Sequence, residues 1–332
     1  MILTIIFFMQ YKLYIIGENI TFENNTRWIC DVFKDEFISG LQYINSNISI
    51  VNTIDKANII WILTPWIVPK MNIPNLQNKI IVTTIHHIDW NKYDKFVEYF
   101  SCVDKITTYY HAICSKIEHD LKKITNKKII LANFWINTDN FIKKNNISFR
   151  QKYNIPNDRF VVGSFQRDTE GKLKCIRPKL SKGPDIFMKI VYDMKENGKN
   201  PFVLLTGRRR NYIINELQRC NIDYLYLEMV QQKELVELYQ CLNLYIVSSR
   251  IEGGPRSIIE CAILKVPIIS TNVGISELIL SSESIYDIND YLSYKNAIPN
   301  IDYAYNKAIF YDIKNYLPIF IDSVFLCQQL TQ

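Results

Sequence analysis

Two trains of short, mostly apolar runs, each interleaved with longer amphipathic stretches, govern what this chain can fold into. In the first half the runs fall at residues 11–16, 58–63, 80–85, 104–108 and 128–131, and segments such as 27–44 and 110–123 read as helices between them. Runs of four to six apolar residues without polar alternation suit strands buried on both faces, so a parallel sheet wrapped by helices is expected. Around 137–158 the chain turns polar, with Asn137, Asp139, Asn140, Lys143 and Lys144 followed by Ile155-Pro156-Asn157-Asp158. Such a stretch marks a domain boundary. The pattern then restarts with strand candidates at Phe160–Phe165, Phe202–Thr206, Tyr224–Leu227, Leu244–Val247 and Pro267–Thr271. From Ile301 on, aromatic and aliphatic residues at helical spacing suggest closing helices. The expectation is an α/β chain of two doubly wound, Rossmann-like domains at 1–150 and 151–300, with helices over 301–332. A length of 332 residues accommodates this, at about 150 residues per domain.

Composition excludes several classes. Hydrophobic residues make up 48% and charged residues 22%, a folded profile rather than a disordered one. The net charge of +6 suits phosphate-bearing ligands or an anionic membrane surface. No aromatic-basic recognition module accompanies it, so nucleic acid is not an expected partner. The eight Cys residues include no Cys-x-x-Cys pair, which favours reduced, partly buried thiols over a disulfide framework or a metal site. Met1 to Phe8 is apolar, but Gln10 and Lys12 interrupt before any run reaches the roughly 20 residues needed to span a bilayer. There is no basic segment ahead of it and no small-residue cleavage site, so a cytoplasmic protein is expected, with peripheral membrane contact left open. Translation from Met1 or from Met9 remains an alternative.

Residues 247–280 carry the most chemistry: VSSRIEGGPRSIIECAILKVPIISTNVGISELIL. A strand ends at Val247, a turn holds Glu252-Gly253-Gly254-Pro255, a helix runs from about Arg256 to Leu264, and a strand starts at Pro267. The two glycines let backbone N–H groups approach a ligand at a helix start, where partial positive charge favours phosphate. Glu252 and Glu260 both fall near the carboxyl edge of a parallel sheet, the usual ligand position. A carboxylate there can accept hydrogen bonds from vicinal hydroxyls, gripping a sugar rather than a phosphate.

Glu252 and Glu260 have the Glu-x7-Glu spacing of retaining GT-B glycosyltransferases, and the whole stretch resembles the signature of the large family 4. The resemblance covers nearly the whole chain, strongly over 160–280 and weakly over 11–135. It implies that Glu260 holds the ribose hydroxyls of a nucleotide, that Glu252 contacts the donor hexose, and that Gly253 and Gly254 lie near the transferring sugar and phosphate. Pro255 and Arg256 complete that turn. Lys265 stands where the family commonly has glycine.

Residues 163–185 read GSFQRDTEGKLKCIRPKLSKGPD. The resemblance sets Gly163 at the end of a strand and makes Arg167 and Lys182 the basic pair that clamps the donor diphosphate. Physically, a diphosphate leaving water needs cations and helix-terminal amides to replace its hydration. Lys172, Lys174, Arg177 and Lys179 between them blur which cation does what. In the first half, Ile80–Ile85 is followed by His86-His87-Ile88-Asp89. By resemblance His86 faces the donor sugar from the opposite lip of a cleft, with His87 as rival. The run Gly207-Arg208-Arg209-Arg210 fits either a phosphate contact, with Arg208 foremost, or an exposed helix start. The first strand-to-helix turn, Gly17-Glu18-Asn19, lacks the family's glycine pair, and Arg27 and Trp28 are guesses for acceptor contact.

The expected activity is transfer of a sugar from a nucleoside-diphosphate donor, UDP- or GDP-linked, to a hydroxyl of a glycan, lipid-linked or protein acceptor. By resemblance the reaction retains the anomeric configuration. No Asp-x-Asp pair occurs to hold a divalent metal, so metal-independent chemistry and no cofactor are expected. The alternatives are a catalytically silent sugar- or nucleotide-binding protein and an epimerase or phosphorylase on the same fold. A nicotinamide dehydrogenase would need Gly-x-Gly-x-x-Gly after the first strand, where Gly17 stands alone.

Overall fold

The computed structural model describes residues 10–17, 29–44, 46–73, 76–144, 148–171 and 175–326. The expectations placed on residues 1–9, Glu18, Asn19, Arg27, Trp28, Lys172 and Lys174 lie outside these.

Six parallel strands build the first sheet: β1 (Tyr11–Ile16), β2 (Ile48–Ile50), β3 (Ile59–Ile62), β4 (Ile80–Ile85), β5 (Tyr109–Ala112) and β6 (Ile129–Leu131). Their order is β2-β1-β3-β4-β5-β6. Helices α1 (Ile29–Gly40), α2 (Tyr93–Ile106) and α3 (Ser115–Leu121) connect them. Strands β3 and β5 are buried at every residue, as runs without alternation require. One face packs Ile60, Ile62 and Ile81 against Val103 of α2. Elsewhere in the same unit an aromatic cluster joins Phe37, Trp61, Trp135, Phe320 and Phe325.

The strand expected at 104–108 is corrected. Phe96, Phe100 and Val103 recur at helical spacing and are buried, so α2 continues to Ile106, and the strand begins at Tyr109. The helix expected over 110–123 accordingly shrinks to Ser115–Leu121.

A short helix α4 (Ser148–Lys152) stands in the polar stretch between the sheets. Its Arg150 donates to the Cys241 carbonyl at 3.0 Å and to Asn243 Oδ1 at 2.7 Å.

The second sheet comprises β7 (Phe160–Ser164), β8 (Pro201–Thr206), β9 (Tyr224–Leu227), β10 (Leu244–Val247), β11 (Ile268–Thr271) and β12 (Ile285–Tyr286). It is again parallel throughout, in the order β12-β11-β10-β7-β8-β9. The intervening helices are α5 (Pro184–Glu196), α6 (Asn211–Arg219), α7 (Gln232–Gln240), α8 (Arg256–Ile263) and α9 (Ser276–Ile279), followed by α10 (Ile301–Ala308) and α11 (Ile313–Ile321). From β7 the chain winds outward through β8 and β9, then returns to start β10 on the other flank of β7. The carboxyl ends of β7 and β10 therefore flank a topological switch point, where open α/β sheets bind ligands.

The described residues up to Trp135, together with those from Ile313 on, form one compact unit, and Ile136–Asp312 forms the other. The closing helices divide accordingly: α10 stays with the second unit, while α11 packs on the first. There the Tyr109 hydroxyl donates to the Val324 carbonyl at 2.8 Å. No helix among the described residues is long and apolar enough to cross a membrane.

Candidate functional site

The carboxyl edge of β7 turns into a loop built on a buried ion pair. Gly163 lets the strand pack against Leu242, because a Cβ there would come within 2.4 Å of that side chain. Four residues beyond β7, Asp168 is 1% exposed and pairs with Arg210, 0% exposed, at 2.8 Å. Burial pushes the Asp168 carboxyl up, and Arg210 beside it opposes the shift. Thr169 ties the loop further, donating to Asp168 Oδ1 at 2.6 Å and accepting from the Tyr212 amide at 2.9 Å. Arg167 is thereby held half-buried, its Nε donating to the Thr169 carbonyl at 2.9 Å. Burial and the nearby Arg209 lower its pKa, the mark of a cation set among cations.

A second loop meets the first through a glycine. Residues Leu180–Lys182 form a tight turn that ends at Gly183, with φ +60°. A Cβ on Gly183 would lie 1.7 Å from the Ser248 carbonyl oxygen, so the turn can rest directly on the end of β10. The contact is locked from the other side. The Arg250 and Ile251 amides both donate to the Ser181 carbonyl, at 2.9 and 3.0 Å. The Arg250 guanidinium grips Asp185 through two bonds of 2.7 Å. This closure brings the Lys182 ammonium onto Glu252 Oε1. Gln166 spans the gap, donating to the Lys182 carbonyl at 3.1 Å and accepting from Ser249 at 3.3 Å. Lys182 and Glu252, from two separate segments, thus meet at the switch point, and Gln166, the residue before Arg167, reaches both segments. Lys179, three residues before Lys182, is the electrostatic neighbour of Lys182, Arg167, Glu252 and Glu170.

Glu260 lies on α8, 6% exposed. Tyr239 donates to its Oε2 at 2.7 Å and Arg256 Nε to its Oε1 at 3.1 Å. A ligand hydroxyl would share oxygens already bonded within the fold. Pro255 is buried at the head of α8, and Gly254 is exposed beside it. The Gly253 carbonyl lies 2.5 Å from where a Cβ on Gly274 would stand, so the glycine of the Asn272-Val273-Gly274 turn is what lets that loop approach. Arg208, after β8, has its Nε 3.8 Å from Glu228. Arg210 is neither a phosphate contact nor an exposed helix start, since its side chain is wholly buried on Asp168. Lys265, at the glycine position of the resemblance, has φ +54° two residues past the end of α8, the backbone a glycine adopts most freely.

In the first unit His86 directly follows β4. Its Nε2 lies 2.8 Å from the Leu63 carbonyl, which can only accept, so the proton sits on Nε2 and Nδ1 is an acceptor. Burial pushes its pKa down to about 4, leaving the ring neutral near pH 7. His87 is exposed.

Sequence reasoning passed over Gln166, Ser249, Arg250 and the Asp168–Arg210 pair. Their partners stand 83, 65 and 42 residues away, beyond the reach of any local pattern.

Residues 176–299 match the family model "Glycosyl transferases group 1". No curated protein matches the chain. Among solved structures, the chain is similar to sucrose-phosphate synthase from Thermosynechococcus elongatus, with TM-score 0.71 and 12% identity, over 97% of this chain and 99% of that one. It is similar also to HepE of Anabaena in complex with UDP and glucose, with TM-score 0.64 and 11% identity, over 95% and 100% of the two chains. A glycosyltransferase from Rickettsia africae gives TM-score 0.62 and 15% identity, over 95% and 99%. The two parallel sheets are thus those of the GT-B fold, and the stretch similar to the glycosyl transferases group 1 model lies within the second unit.

Proposed function

We propose that this chain, a glycosyltransferase by its group 1 domain and GT-B fold, moves a sugar from a nucleoside-diphosphate donor to an acceptor hydroxyl. The observation that carries the proposal is the contact of Lys182 with Glu252 at the switch point of the second sheet, beside the loop that bears Arg167. UDP in the HepE structure supports a uridine donor as the first to try.

In this scheme the bond from the anomeric carbon to the diphosphate breaks and a bond to the acceptor oxygen forms. The acceptor's proton ends on the diphosphate or in solvent. Arg167 and Lys182 stabilise the charge that grows on the departing diphosphate, a fixed arrangement that costs no reorganisation during reaction. These cations take the part a divalent metal plays elsewhere, and no cofactor is invoked. Glu252 has two functions: it holds Lys182 in place, and it accepts from donor-sugar hydroxyls. Glu260, with Gly253, Gly254, Pro255 and Arg256 around it, serves the nucleotide ribose. Within its own unit, neutral His86 offers Nδ1 to a substrate hydroxyl. Retention of anomeric configuration rests on the family resemblance, and no side chain is assigned as nucleophile.

A product assay tests the activity. The purified chain is incubated with UDP- and GDP-sugars, with and without glycan, lipid-linked and peptide acceptors, and both released nucleotide and glycosylated acceptor are measured. Glycosylated acceptor in step with released nucleoside diphosphate is the expected result. An epimerised donor, or a sugar phosphate formed with inorganic phosphate, would replace transfer by another reaction of the fold.

A further inference from the structure

We infer that Lys179 is a third cation of the donor site, held between the loop of Arg167 and the turn of Lys182 to meet an anionic diphosphate. The inference rests on the donor-site proposal above and extends it to a residue with no role so far.

The loop geometry holds Lys179 in place. Its amide donates to the Asp168 carbonyl at 2.7 Å, and its own carbonyl accepts from the Lys182 amide at 2.8 Å. Just before it, Thr169 bridges to Pro178, and the Glu170 amide donates to the Arg177 carbonyl at 2.9 Å. Lys179 is therefore strapped between the loop of Arg167 and the turn of Lys182, its side chain partly buried.

Its surroundings make poor company for an ammonium group. Lys182 and Arg167 act on it with like charge, and Glu252 and Glu170 oppose them more weakly. Among the described residues no carboxylate lies within ion-pair distance of its Nζ, and Glu252 is already taken by Lys182. Burial, reinforced by the two cations, lowers its pKa to about 8. A desolvated lysine under the influence of two cations is held at a cost in stability. A diphosphate between the three groups reverses each of those terms, supplying acceptors and opposite charge at once.

Proton linkage distinguishes this from a merely structural lysine. Binding of an anion raises the Lys179 pKa, so near pH 8 the complex should draw about half a proton per ligand from buffer. The probe is the sugar conjugate, UDP-glucose or GDP-mannose, because a free nucleoside diphosphate has a terminal phosphate that titrates nearby. Calorimetric titration of the full chain in buffers of different ionisation enthalpy reads the proton count directly. Affinity should fall about tenfold between pH 7 and pH 9, the linkage expected for a pKa that moves up from about 8. Lys179→Met should weaken binding and remove both the proton uptake and the pH dependence. Lys179→Arg, always charged, should restore affinity without proton uptake. Circular dichroism and thermal unfolding establish that both variants are folded. Wild-type binding with no proton uptake, or uptake unchanged in Lys179→Met, would overturn the role of Lys179 and leave the donor site standing. Failure of the wild type to bind any nucleotide sugar would overturn the donor site itself.

Discussion

Gly183 touches the backbone of Ser248 so closely that a single added carbon on Gly183 would fall 1.7 Å from the Ser248 carbonyl oxygen. The contact joins the turn that carries Lys182 to the strand end that carries Glu252. A positive φ at Gly183 adds a second, independent demand for glycine.

Gly183→Ala should therefore cost about 3 kcal/mol or more, from backbone strain and overpacking together. Urea unfolding measures it. Because the same residue sets the Lys182–Glu252 contact, nucleotide-sugar binding should weaken in whatever fraction remains folded. An alanine variant as stable as the parent would show that the turn does not rest on β10.

Asp168→Asn should destabilise the second unit by about 3–5 kcal/mol, the usual cost of leaving a buried charge without its counterion. Arg210 has no exposed surface through which to recover hydration. Urea midpoints of Asp168→Asn and of the double variant Asp168→Asn/Arg210→Met test this. The double variant should recover part of the loss, since the stranded guanidinium is gone. Equal stability of Asp168→Asn and the parent would contradict the buried pair.

These two relationships show where local pattern stops. Strands β7 to β11 and the Glu252–Glu260 spacing were legible because a buried parallel strand writes itself as an unbroken apolar run, and a ligand turn as clustered glycines. The strand placed at 104–108 failed because Ile106 and Thr107 suit a strand locally. The helical spacing of Phe96, Phe100 and Val103 carries α2 past them. Arg210 could not be read at all: three consecutive arginines look solvated until Asp168, 42 residues earlier, is seen to bury one of them.

Lys265→Gly should stabilise the chain by about 0.5–1 kcal/mol, as relief of a left-handed conformation outweighs the greater freedom of glycine when unfolded. The lysine's ion pair with Asp302, at 3.1 Å, is exposed and offsets little of this. Thermal unfolding of the variant checks the sign, and a lower melting temperature would mean that the Asp302 and Tyr305 contacts matter more than the backbone.

Stability should fall as the medium is acidified from pH 7 to pH 5, in part through His111. This ring is fully buried, and its Nε2 proton faces the Ala132 carbonyl at 2.8 Å. Its Nδ1 therefore accepts from Thr84, which in turn accepts from Trp61 at 2.8 Å. Burial lowers the pKa to about 4. The unfolded ring titrates near 6.5, so between these values the unfolded state binds more protons and acid favours unfolding. His111 alone should contribute up to about 2 kcal/mol of loss by pH 5. Urea midpoints that do not move between pH 7 and pH 5 would contradict a neutral, buried ring.

The measurement that bears most directly on the donor site is thermal unfolding of the purified chain against UDP, GDP, ADP and CMP and their sugar conjugates. A ligand at about 100 times its dissociation constant adds roughly 2.7 kcal/mol, a rise of several degrees for units of this size. The expected result is a rise with one nucleotide class, reduced in Lys182→Met and abolished in Glu260→Ala. No rise with any of them, or a rise unchanged in both variants, would contradict a donor site at the carboxyl edge of β7 and β10.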